Sequence, residues 1–287
     1  MKVVKDIKEC ELLWNKFSPK LSLFDLWDYR FCFYAAYKFE PYFITDDNGL
    51  LPLWYETPEK YYTFFGGNFP ETNKFFIKDK SKIKDFLKAC PKETSLFYLD
   101  KSEAEFIKLE KADPKFYLDM SKFNNDIEKY IGSFDKKHRK NLRYDLRHLE
   151  ELGLSFRHNQ IEDMQLLGKL NMSRFGKESD YSETEMLASM QELANTAAKQ
   201  GKMNLISCVI NANVESVELG VVHNNVYTVL SCGRNPNIKN LGKRMILQHI
   251  KDALDKKISI IDFMSYESGW KKLWHLEEEP MFEWHNY

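Results

Sequence analysis

One run near the carboxyl end constrains this chain most: a hairpin, a polar loop, a helix and a strand in succession. Residues 214–222 and 226–231 read as strands, joined by the turn His223-Asn-Asn225. The loop 232–240 follows, then a helical stretch over 241–257 and an apolar strand over 258–264. This order delivers the first turn of a helix to a sheet end, with its free N–H groups and positive dipole end facing outward. Gly242 lies in that turn, with Asn240 before it and Lys243 and Arg244 after it, so the loop reads as a cradle for an anion. It is neither a Walker loop nor a dinucleotide fingerprint, because it carries a single glycine at the turn. The last strand runs into Asp262-Phe-Met-Ser-Tyr, which puts polar groups at its carboxyl end, where ligands bind in open α/β sheets.

Three further groups have the chemistry of a site. Asp262 is a carboxylate in an apolar strand, so it is either structurally paired or functional. Glu267, Trp270 and Lys271 follow it, and a carboxylate and an ammonium leaving a sheet end together read as a surface ion pair or as groups that orient an amine or hold a phosphate. The densest basic run is 136–147, where Arg139, Arg143 and Arg147 fall at i, i+4 and i+8 of a helix, opposite much of a stripe of Leu142, Leu146, Leu149 and Leu152. That face is either solvated and balanced by Asp145, Glu150 and Glu151, or a local phosphate contact.

The whole protein, at 287 residues and a formal charge of −1, has no global pull towards DNA or an anionic membrane. No apolar run is long enough to cross a bilayer and the amino end has no signal-peptide h-region, so a cytoplasmic protein is expected. The five cysteines are odd in number and widely spaced, the pattern of reduced thiols. No His or Cys spacing suits a metal, and no G-x-S-x-G elbow occurs. Aromatic residues reach 15%, which suits an aromatic core or grooves for a sugar or acyl chain.

The amino half reads as helices over 1–40, a hairpin turning at Asp46-Asp-Asn-Gly49, strands over 61–65 and 95–99, and a short helix over 80–90 between them. The carboxyl half has helices over 134–152, 163–175 and 182–200, the last opened by a capping box Ser182-Glu-Thr-Glu185, before the hairpin described above. Element order thus suggests two copies of one α/β unit, 1–115 and 116–287.

Several motifs resemble one family in the same order. Lys137-His-Arg-Lys-Asn-Leu-Arg143 with Leu149-Glu-Glu-Leu-Gly153 resembles the "K-x-R-x-x-L-R…L-E-x-x-G" helix of two-domain GNAT-fold acyltransferases. That family includes a group linked to cellulose biosynthesis and the Fem-type peptidoglycan aminoacyl transferases. Arg174-Phe-Gly176 resembles its "R-x-G" helix end. Residues 260–274 resemble its closing "D-F-x-x-x-x-E-x-x-Y-K-x-x-W" signature, with Trp270 in place of the tyrosine. Leu50-Leu-Pro-Leu53 and Phe64-Phe-Gly-Gly67 resemble its "L-P-L…L-G" hairpin. The phosphate loop departs from the usual Q/R-x-x-G-x-G/A, with Lys239 first and Arg244 last.

The resemblance implies an α+β fold of tandem GNAT-like domains, each a mixed, mostly antiparallel sheet flanked by helices, with the active site mainly in the carboxyl half. It implies an N-acyltransferase that uses acyl-CoA as co-substrate, with no permanently bound cofactor, on an amine of a sugar or cell-envelope precursor. The alternatives are a Fem-type transferase using aminoacyl-tRNA on a peptidoglycan precursor, and a catalytically silent binding module. By the same resemblance Asn240, Gly242, Lys243 and Arg244 would hold the donor's pyrophosphate, and backbone N–H groups of the strand around Ser231 its carbonyl. Asp262 or Glu267 would help deprotonate the amine, and Lys271 would neutralise phosphate. Arg139, Arg143, Arg174, Tyr227 and Trp270 would contact substrate.

Overall fold

A computed structural model describes residues 1–265 and 269–287. They form two compact units. Met1–Lys115 with Glu279–Tyr287 builds most of the first; Phe116–Met264 and a segment ending at Glu278 build the second. Each has its own sheet, mostly antiparallel and flanked by helices, which is the α+β class.

In the first unit the hairpin Glu40–Thr45 and Gly49–Glu56 pairs antiparallel, with Thr45 opposite Leu50. Its turn is locked by Asp46, whose carboxylate accepts from Asn48 N at 2.9 Å and Gly49 N at 3.2 Å. The aromatic residues go largely into the core. Trp27 stacks flat on Phe65 at 5.2 Å, and Trp14 meets Phe76 edge-on at 5.0 Å.

The second unit has a seven-stranded sheet. Its centre is Met203–Ile210, Asn213–His223 and Val226–Arg234, antiparallel in turn. Val226–Arg234 then runs parallel to Ile260–Asp262, and the helix Leu241–Asp255 makes the crossover that parallel pairing requires. That helix buries Leu241, Met245, Ile246, Ile250 and Ala253. The parallel ladder has only three rungs, ending at Thr228 opposite Asp262. Beyond them Val226–Arg234 bulges, since Leu219 faces Ser231 while Gly220 faces Val229, leaving Leu230 as the extra residue.

The basic helix runs Lys136–Glu151, begins at Asp135, whose carboxylate accepts from His138 N at 2.9 Å, and buries Leu142 and Leu149. The expected capping box at Ser182 does not form. Ser182 closes the short 3-10 turn Asp180–Ser182, the helix Thr184–Lys199 starts after Glu183 without a side-chain cap, and Thr184 donates its hydroxyl to Glu185 instead.

Gly233 sits where the bulged strand meets the helix Met164–Phe175, and a Cβ there would lie 2.2 Å from the Leu167 carbonyl oxygen. Backbone cannot swing aside as a side-chain tip can. Gly233→Ala is therefore expected to destabilise the protein by about 3 kcal/mol. A chemical-denaturation midpoint unchanged from wild type would contradict this contact.

Candidate active site

A cavity of about 470 Å³ opens in the second unit, between the basic helix and the amino end of Leu241–Asp255. The basic helix presents Lys137, His138 and Asn141 to it, with Asp135 at its start. Asn240, Gly242 and Lys243 form the opposite wall, Arg174 and Arg234 stand beside them, and Trp270 and Trp274 supply an apolar wall. A hollow of about 250 Å³ shares Arg174, Arg234, Asn240 and Gly242 with it and adds Lys239.

The helix-start end is cationic. Asn240 adopts the left-handed conformation, with φ of 63°, and turns the chain into the helix. Lys243 reaches back to Asp145 of the basic helix at 2.6 Å. Arg234 lies directly over Gly242: a Cβ at 242 would come 1.8 Å from its Nη1. The glycine read from the sequence as a phosphate turn thus also makes room for an arginine. Arg234, Lys239, Lys243 and Arg174 all face this region, beside free N–H groups of the first helical turn.

Arg234 is anchored from below. Its Nε lies 3.1 Å from Glu218 Oε1, and Nη2 donates to Cys232 Sγ at 3.3 Å. Glu218 Oε2 is 2.8 Å from His249 Nε2, and His249 Nδ1 is 2.7 Å from the Tyr227 hydroxyl. Asn204 Nδ2 donates to that hydroxyl at 2.8 Å and to Asp252 at 3.0 Å. Burial pushes the Glu218 carboxyl upward, but Arg234 and His249 outweigh it and hold the group below the usual carboxylate range. Gly220 makes the space for this chain, because a Cβ there would lie 2.3 Å from the Tyr227 ring.

The opposite end holds His138. Its ring stacks flat on Phe134, 4.5 Å between centroids, and meets Trp274 edge-on. Partial burial lowers its pKa from the ordinary histidine value; Asp135 opposes this, while His275 and Lys243 add to it. That favours the neutral imidazole, the form able to accept a proton. Asp135 is a poorer base, because the backbone N–H of His138 stabilises its ionised form and lowers its pKa.

Residues 136–272 match the family model of a GNAT acetyltransferase domain. Solved structures share the fold across the whole chain. One is FemX, 11% identical with a TM-score of 0.60, covering 99% of this chain and 97% of that one. Another is a tandem GNAT protein from the clavulanic acid biosynthesis pathway, 8% identical with a TM-score of 0.55, covering 98% and 96%. Residues 136–272 thus carry a GNAT acetyltransferase domain, and the chain as a whole shares the fold of these two-domain structures. A third similar structure is L-PGS from Bacillus licheniformis, 9% identical with a TM-score of 0.61, covering 93% and 92%. Among curated proteins no sequence matches.

In this chain the residues singled out from the sequence divide. Asn240, Gly242, Lys243, Arg174 and Trp270 come together around the cavity. Arg244 turns away: its guanidinium lies over the Phe156 ring at 4.6 Å and donates to Gln248. Arg139 caps a helix end, donating to the Gly132 and Phe134 carbonyls, and Arg143 is exposed beside Glu128 at 3.7 Å. Tyr227 is buried with its hydroxyl in the chain below Arg234, so it supports the site rather than facing it. Ser231 is engaged by the Tyr181 hydroxyl at 2.5 Å. Lys271 is buried, donates to the Met264 carbonyl at 3.0 Å and lies over the Phe116 ring at 4.7 Å. Asp262 is buried and accepts from Met264 N at 2.8 Å. Glu267 lies outside the described residues.

His138 and Asn141 were given no role from their sequence context, and Arg234 and Trp274 were read only as the start of the phosphate loop and the end of the closing signature. The nearest signal for Arg234 was its place at the end of a strand that feeds the phosphate loop. Away from the cavity, strand pairing in the first unit brings Glu110, Glu283 and His285 within 4.8 Å of one another, a trio that no sequence spacing shows.

Proposed function

We propose that this chain is an N-acyltransferase that moves an acyl group from acyl-CoA to an amine of a sugar or cell-envelope precursor. The observation that carries the reading is the polarity of one cavity. At one end a helix start is ringed by Arg234, Lys239, Lys243 and Arg174, and at the other a neutral imidazole stands against aromatic walls. The cationic end suits the donor's phosphates. The bulged strand around Leu230 suits the acyl carbonyl, since its backbone leaves the parallel ladder there.

The chemistry follows from this placement. His138 takes a proton from the acceptor's ammonium group. The freed amine attacks the thioester carbonyl; a C–N bond forms and the C–S bond breaks. The proton that the new amide nitrogen sheds goes to the departing thiolate. His138 then releases its proton to solvent.

A second reading has aminoacyl-tRNA as donor. It draws on Lys239 and Arg244 standing where GNAT phosphate loops carry other residues. The two separate by salt, since a polyanion with many phosphate contacts loses affinity steeply as salt rises.

A thermal-shift series with coenzyme A and acetyl-CoA tests the first reading. At a hundredfold excess over Kd a ligand stabilises by about 2.7 kcal/mol, a midpoint rise of several degrees. Lys243→Ala is expected to lose most of that rise. No shift with any CoA species would rule out the acyl-CoA donor.

A further inference from the structure

We propose that Arg234 is the phosphate receptor of this chain, and that Glu218, His249 and Tyr227 are positioning residues that hold its guanidinium over Gly242. This deepens the donor reading given above and rests on it for the donor's identity, but not for the phosphate.

Three observations carry it. The guanidinium lines both hollows, at the start of a fifteen-residue helix. The space it fills exists only because residue 242 lacks a Cβ. Its Nε is 3.1 Å from Glu218 Oε1 yet buried without an aligned hydrogen bond. Charge therefore holds this inner edge of the fork against Glu218, and the Nη1 edge beside Gly242 is the part left for a ligand oxygen.

The direction of the buried chain explains how Glu218 is kept in place. Asn204 donates an amide hydrogen to the Tyr227 oxygen, and Lys256 in turn donates to Asn204 Oδ1 at 2.8 Å. The Tyr227 O–H is then left to donate to His249 Nδ1, and His249 Nε2–H to donate to the Glu218 carboxylate. Every donor points towards Glu218, so each bond polarises the next. His249 and Glu218 are both fully enclosed, so this carboxylate has no water to fall back on. It fixes one edge of Arg234 while the rest of the guanidinium borders the cavity.

The ligand chemistry is a phosphate or pyrophosphate, which can belong to a nucleotide carrier or to an RNA backbone. Calorimetry with inorganic pyrophosphate, coenzyme A and bulk tRNA separates these sources. The full chain is compared with Arg234→Lys, Tyr227→Phe, His249→Phe and His249→Gln, each well below its melting midpoint.

Wild type is expected to bind pyrophosphate, and Arg234→Lys to weaken binding at least tenfold. Tyr227→Phe, which deletes one hydroxyl remote from the ligand, is expected to weaken it about threefold to tenfold. His249→Gln, which keeps an N–H donor, should recover part of what His249→Phe loses; a merely structural role would show no such rescue. Absence of pyrophosphate binding overturns the proposal, and so does wild-type affinity in Arg234→Lys or in Tyr227→Phe. Pyrophosphate binding without coenzyme A binding leaves the proposal standing and removes acyl-CoA as donor, and salt-sensitive tRNA binding then identifies the source.

Discussion

Glu218→Ala is expected to destabilise the second unit by about 3–5 kcal/mol, because it removes one partner of a buried ion pair and leaves the others uncompensated. Glu218 is enclosed, with Arg234 at 3.1 Å and His249 at 2.8 Å on its two oxygens, and the Ser216 hydroxyl also points to it at 3.4 Å. Without the carboxylate, His249 Nε2–H loses its acceptor inside the sheet. Arg234 must then either stay partly buried beside an empty space or swing into the cavity. Glu218→Gln keeps an oxygen for His249 and should cost less. The measurement is chemical denaturation followed by tryptophan fluorescence, with Trp270 and Trp274 reporting on this unit. A loss within about 0.5 kcal/mol, the range of surface substitutions, would show that the pair does not secure the site.

His138→Gln is expected to lower the turnover rate by about 100-fold to 10,000-fold, the usual contribution of a positioned general base. Glutamine keeps much of the contact with Phe134 and cannot accept the amine's proton. The pH dependence gives the sign. Catalysis needs the neutral imidazole, and burial has lowered the His138 pKa below that of an ordinary histidine. Wild-type activity should therefore fall as pH drops through that lowered value, on the acid side of about 6.5. The variant should lose this acid limb and keep its donor KM, and added imidazole should restore part of the rate. An acid limb that survives in His138→Gln would place the base elsewhere.

Much of the local structure was legible before any coordinates. The hairpin at Asp46–Gly49 announced itself through its turn residues, and the basic helix through leucine spacing and the stop at Gly153, whose φ is 72°. The resemblance to GNAT acyltransferases rested on the order of short motifs, and the family model over 136–272 bears it out. The capping box at Ser182 misled because a short 3-10 turn competed for the same serine.

The site was legible only in part. Gly242 and Lys243 could be picked out because a helix start after a polar loop has the local geometry that suits an anion. On the basic helix, charge density drew attention to Arg139 and Arg143, whereas the face towards the cavity belongs to His138 and Asn141. Adjacent residues on a helix point about 100° apart, so only the packing of Leu142 and Leu149 decides which ones meet the loop.

The sequence by itself determined most of the central elements, their order and the turn at Gly242, because turn chemistry and hydrophobic period act over a few residues. The tertiary structure alone decided that Arg234 fills the space above Gly242, and that Tyr227 and His249 lie beneath it rather than before a substrate. Together with Glu218 those residues stand up to 31 positions apart and are joined by hydrogen bonds between a strand pair and a crossover helix. Long-range partners of this kind follow from sheet register, which no local pattern encodes.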